Sequence, residues 1–130
     1  QYKTVAAALV SRALVDTFRV PVTWVNVPSA LAACERDRYS ASTQARLAQW
    51  QDCPVLVLDD AFAVGTYGMT QLQAIAAARF DALLPTLWTG NHLLSSGAPP
   101  DEPWRALAPW GKSFLRRLRE TGKGFTVFVQ

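Results

Sequence analysis

With only two cysteines and one histidine, the chain has little from which to build a thiolate or imidazole metal centre. Cys34 and Cys53 have neither the spacing of metal ligands nor a redox Cys-x-x-Cys, so they read as buried thiols in a reducing compartment. His92 has no ligand partners nearby in sequence and takes no metal role. No apolar run reaches the roughly 18 residues that cross a bilayer, and no basic-then-apolar leader opens the chain. The expectation is a cytoplasmic protein with no membrane partner. A strong charge of one sign is also lacking. The formal net charge is +3 with both signs scattered, which permits a polyanionic partner without arguing for one. No internal repeat, linker or second domain can be seen.

Half of the residues are apolar, and a chain of this length buries roughly two thirds of its unfolded surface, enough for one domain with a core. Residues 4–18 lack Gly and Pro and are apolar over most of their circumference, as expected of a helix pressed between a sheet and other packing. "VPVTWVNV" predicts a strand over 22–27 that stops at Pro28. Ser29 starts a helix reaching residue 38, and 40–51 gives another, with Ser40 or Ser42 as its N-cap. "PVLVLDD" (54–60) has four consecutive aliphatics without alternation, the mark of a strand buried on both faces in a parallel sheet. After it come a two-glycine loop (61–69), a helix (70–84), a strand with a Thr-Gly-Asn tip (86–91) and a turn-rich loop (95–103). A last helix (111–120) and a final strand (125–129) close the pattern. Strands alternating with helices predict an α/β fold of three layers. Trp24 and Trp88, inside strands, read as core; Trp104 and Trp110 read as anchors of the loop they flank.

In open α/β sheets, ligands bind beyond the C-terminal ends of the strands. Asp59 and Asp60 follow a dry strand at such an end, where a carboxylate suits a magnesium ion or caps the next loop. Lys3-Thr4 ahead of a helix is how the phosphate-binding loop Gly-x-x-x-x-Gly-Lys-[Ser/Thr] ends, although a lysine there can simply solvate a helix start. Their order is the stronger signal: Lys-Thr-helix, strand, helices, Asp-Asp strand, helix, Thr-Gly-Asn strand, arginine-rich helix.

With these motifs the chain resembles the AAA+ ATPases, and within them the bacterial helicase loaders and transposition helpers (DnaC-like and IstB-like), over nearly all its length. "KTVAAALVSRAL" is similar to the end of their Walker A motif and its helix, and "VLVLDD" to their Walker B. "PTLWTGN" is similar to their sensor 1 strand, and "GKSFLRRLRE" to their arginine-finger helix. The resemblance implies a three-layer P-loop NTPase core, with a mostly parallel sheet, that binds ATP and magnesium. Lys3 would contact the β- and γ-phosphates, and Thr4 and Asp59 would hold the magnesium. Asp60 would orient the attacking water, Asn91 would sense the γ-phosphate, and Arg117 would reach a neighbouring subunit's nucleotide, implying a homo-oligomer when ATP is bound. Asp60 stands where many relatives carry Glu, and the shorter reach implies a slow, switch-like ATPase. Arg36, Arg38 and Arg46 fall on helices that face DNA in loaders, which implies salt-dependent binding of single-stranded DNA. Without the resemblance, these arginines and those of 116–119 are a solvated surface.

The implied partner is a replicative helicase. One alternative is a transposition helper that marks target DNA for a transposase; another is a non-catalytic interaction module on the AAA+ fold. Tyr2 occupies the position where the loop normally has Gly, whose freedom at positive φ lets the backbone wrap the phosphates. The rest of that loop, and the central first strand before it, are absent from the sequence. The expectation is therefore a single AAA+ core over 1–130 with no lid domain, N-terminally truncated so that residue 1 is not the native start.

Overall fold

The computed structural model describes residues 2–90 and 108–119. Asn91, His92, Trp104, the loop 95–103 and the strand expected over 125–129 lie outside the described residues. α1 (Tyr2–Phe18) takes in Tyr2 at its first position, so the backbone there is helical and not in the left-handed region where glycine has its advantage. β1 (Val22–Asn26) runs directly into α2 (Val27–Arg36). Asn26 Oδ1 caps the helix by accepting from the Ser29 hydroxyl at 2.9 Å and its backbone N–H at 3.5 Å. Pro28 sits in the first turn, where a missing N–H costs nothing. The helix thus starts at Val27 rather than Ser29, and it ends at Arg36, leaving Arg38 in the following turn rather than on a helix.

α3 (Ala41–Asp52) is capped by Ser40, whose Oγ accepts from Thr43 N–H at 3.1 Å. β2 (Val55–Asp59) is the aliphatic run. α4 (Thr66–Asp81) begins inside the stretch read as a loop. Gly68 there serves close packing: a Cβ at that position would stand 2.8 Å from Val64 Cβ and 3.3 Å from Leu31 Cδ1. β3 (Thr86–Trp88) and α5 (Lys112–Arg119) follow.

The strands form a parallel sheet in the order β1-β2-β3, with Asn26 level with Asp59 and Leu58 level with Trp88. Side chains alternate across it. Leu56 and Leu58 face a core built with Leu31, Leu47, Trp50, Leu72, Ile75 and Phe114 of the helices α2 to α5. Val55 and Val57 are buried on the opposite face, where α1 lies against β1 and β2 with Ala7 and Ser11 as its buried positions. Helices on both faces of a parallel sheet make the three-layer α/β fold the sequence predicts.

Two expectations about burial need correction. Val5, Leu9, Val10, Val15 and Phe18 of α1 are exposed, because the described residues provide no packing on the side of α1 away from the sheet. Trp24 is 39 % exposed rather than core, since among the described residues β1 is an edge strand flanked on one side only. Trp88 does reach the core. It stacks on Phe62 at 5.9 Å and meets Phe114 edge-on at 5.6 Å, while Trp110 stacks on Phe114 at 4.8 Å. This aromatic cluster ties α5 to the end of β3. Cys34 and Cys53 are free, buried thiols, as expected.

At the other end of the strands, Arg79 of α4 is 1 % exposed. Its Nη1 donates to the carbonyls of Trp50 (3.1 Å), Gln51 (3.3 Å) and Cys53 (2.6 Å), its Nη2 to that of Pro85 (2.7 Å), and its Nε to the Thr86 hydroxyl (2.7 Å). One guanidinium thereby satisfies the last carbonyls of α3 and joins them to the entrance of β3, a geometry only its planar fork supplies. Among the described residues, no helix is long and apolar enough to cross a membrane.

Candidate functional site

α1 starts where β2 ends, so its first turn stands over the C-terminal edge of the sheet. Thr4 Oγ1 donates to Asp59 Oδ1 at 3.0 Å, bridging 55 residues of sequence. Lys3, half-buried, precedes it on the same turn. The first turn of a helix carries partial positive charge, and the ammonium of Lys3 adds to it. An anion is favoured at such a place.

A second hydroxyl reaches the same carboxylate from the residue that follows β3. Thr89 Oγ1 donates to Asp59 Oδ1 at 2.5 Å and accepts from Asp60 N–H at 3.0 Å. Asp60, half-buried, has φ +57°, a left-handed conformation that Asp tolerates better than most residues. The structure thus brings together Thr4, Asp59 and Asp60 with Lys3 beside them. Thr89 was missed from sequence; the signal that could have found it is the polar tip Thr-Gly-Asn, of which only Asn91 was singled out. Asn91 lies two positions beyond Thr89 and outside the described residues.

The hydroxyl of Thr4 and the carboxylate of Asp59 are hard oxygen donors already within one hydrogen bond of each other. That donor set fits magnesium, which takes one or two protein ligands and completes an octahedron with waters and phosphate oxygens. Among the described residues, no group of three or more His, Cys, Asp or Glu could hold a metal by itself.

The three arginines expected to meet DNA sit on the sheet face opposite α1. Arg36, in the last turn of α2, is exposed. The Arg38 guanidinium lies 5.5 Å from the ring centre of Tyr67 and 5.8 Å from that of Tyr39. Arg46 lies 5.3 Å over Trp50 and lines an open groove of about 460 Å³ with Trp24, Asn26 and Gln49. Aromatic faces of this kind hold a guanidinium in place while leaving its edge for a phosphate. Arg117 of α5 is half-buried, with its Nε buried and without a hydrogen-bond partner among the described residues; Arg116 beside it is exposed.

No family model and no curated protein sequence matches the chain. Among solved structures, the crystal structure of the DnaC helicase loader is similar with a TM-score of 0.72 and 17 % identity, over 92 % of this chain and 68 % of that one. At that identity the likeness establishes the fold, a DnaC-like P-loop α/β architecture.

Proposed function

We propose that this chain is the core of a helicase-loader-like AAA+ ATPase that binds ATP with magnesium and acts on DNA beside a replicative helicase. The observation that carries this reading is the 3.0 Å approach of Thr4 to Asp59, which joins the end of one phosphate-site motif to the acidic end of the other. The bound ion would supply positive charge against the β- and γ-phosphates. Thr4 and Asp59 would hold it. Lys3 would pair with phosphate oxygens as a point charge, helped by the start of α1. Asp60 would accept a hydrogen bond from the attacking water and so orient it. Asn91 would sense the γ-phosphate, and Arg117 would neutralise transition-state charge on a neighbouring subunit's nucleotide in a homo-oligomer. Arg36, Arg38 and Arg46 would bind the phosphates of single-stranded DNA. The likeness to a helicase loader supports a helicase as partner ahead of a transposase.

The test is ATP turnover by the full chain, with and without single-stranded DNA, beside Lys3→Ala, Arg117→Ala and Arg116→Ala. Lys3→Ala is expected to lose nucleotide binding. Arg117→Ala is expected to lose turnover by about 10³-fold while nucleotide binding stays within a few-fold, with Arg116→Ala close to wild type. Full turnover in the Lys3 and Arg117 variants would overturn the assignment. A second reading, a non-catalytic module on the same fold, follows from the resemblance, in which Tyr2 stands at a glycine position of the phosphate loop. It is recognised by ATP binding without turnover.

A further inference from the structure

Thr89 has no part in the ATPase reading above, yet it is one of the few buried polar side chains, at 9 % exposure. An ionised carboxylate only accepts and a backbone amide only donates, so the roles of its hydroxyl are fixed: its proton goes to Asp59 and its lone pair takes Asp60 N–H. The backbone of Thr89 is tied to the same turn. Its N–H donates to Leu58 carbonyl at 3.0 Å, and its carbonyl accepts from Ala61 N–H at 2.7 Å. One residue therefore contacts each of the consecutive residues Leu58, Asp59, Asp60 and Ala61. The frame behind it is stiff, because Trp88 is stacked on Phe62 and a Cβ on Gly90 would collide with the Phe62 ring.

We propose that Thr89 is a positioning residue: its single hydroxyl sets the rotamer of Asp59 and the left-handed turn at Asp60 together, so the residue that follows β3 holds the two acidic positions as one unit. The inference rests on the ATPase reading, and it adds that magnesium affinity depends on a side chain that never touches the ion. Outer partners that orient a metal-holding carboxylate typically contribute about 10- to 100-fold in metal affinity or activity. A threonine present only for packing would be replaceable by valine, which has its shape without the hydroxyl.

The experiment measures the magnesium concentration for half-maximal binding of a fluorescent N-methylanthraniloyl ATP by the full-length wild type, Thr89→Val and Thr89→Ser. Thermal unfolding without nucleotide serves as the fold control. Thr89→Val is expected to raise that concentration about 10-fold or more and to lower turnover, with metal-free nucleotide binding unchanged. Thr89→Ser, which keeps the hydroxyl, is expected to stay within about 3-fold of wild type. A wild-type magnesium dependence in Thr89→Val overturns the inference alone. So does a Thr89→Ser defect of about 10-fold or more, and this arm decides the matter if the valine variant does not fold. A wild type that binds no nucleotide at any magnesium concentration overturns the ATPase reading and this inference with it.

Discussion

Arg79 and Thr89 are the two side chains that sequence reasoning passed over, for a common reason. Each joins segments 26 to 30 residues apart, although Arg79 also reaches Pro85 and Thr86 nearby, and no motif marks either position. Lys3, Thr4 and Asp59 were legible because their neighbours form motifs. Burial pushes the Arg79 guanidinium below the usual arginine range, with nearby Cys53 and Asp52 opposing, and its hydrogen bonds to carbonyls keep it in place. Arg79→Met takes the guanidinium donors from the carbonyls of Trp50, Gln51, Cys53 and Pro85, leaving Pro85 with Leu56 N–H and Trp50 with the Cys53 thiol, and a stability loss of about 3 kcal/mol is expected in urea unfolding. Arg79→Lys is expected to lose nearly as much, since one ammonium cannot span both sides of the fork. Cys34 allows a check with pH. Burial pushes its thiol up, with Arg46 pulling it partly back. As pH rises, the unfolded chain therefore ionises first, near the ordinary thiol value of about 8.5. Stability from this group is full at neutral pH and is lost as pH climbs from there towards the raised folded value. Urea midpoints at pH 7 and pH 10 should differ less in Cys34→Ala than in wild type.

Helix caps and strand ends explain most of the differences in boundaries. Ser40 could be read as a cap because its hydroxyl acts locally, three residues ahead. The start of α2 could not, because Asn26 belongs to β1 and caps the helix from the last position of the strand. Gly65 and Gly68 look like loop residues in sequence, but Gly68 is the helical position where α4 passes close to Leu31 and Val64. Gly68→Ala is therefore expected to cost about 1–3 kcal/mol, despite alanine's better helix propensity, as overpacking does. Thermal denaturation would check the sign. An increase in stability would mean that α4 can move away from α2 freely. An α1 that is apolar over most of its circumference predicts a helix pressed between the sheet and other packing; among the described residues, one stripe of it is buried against the sheet.

The alternation of strands and helices was enough to predict a parallel three-layer fold, and the order of motifs pointed to the P-loop class before any coordinates. Chemistry beyond the sheet edge was only partly readable, since which hydroxyl meets which carboxylate depends on how α1 and β3 cross the end of β2. On the opposite side of the sheet, Arg38 and Arg46 rest on aromatic rings. If they bind single-stranded DNA, affinity should fall with salt, and Arg46→Ala should reduce the slope of log affinity against log salt by about 1. Fluorescence titration at several salt concentrations would measure it, and an unchanged slope would remove Arg46 from the interface.

The proposal that Thr4 and Asp59 converge on one ATP-bound magnesium ion is tested most directly by a double-mutant cycle. Calorimetric affinity for ATP with magnesium is measured for wild type, Thr4→Val, Asp59→Asn and the double variant. The expected result is that each single change weakens binding and the double change adds little more, a coupling of about 1 kcal/mol or greater. Losses that simply add, or single variants that bind as tightly as wild type, would contradict a shared site.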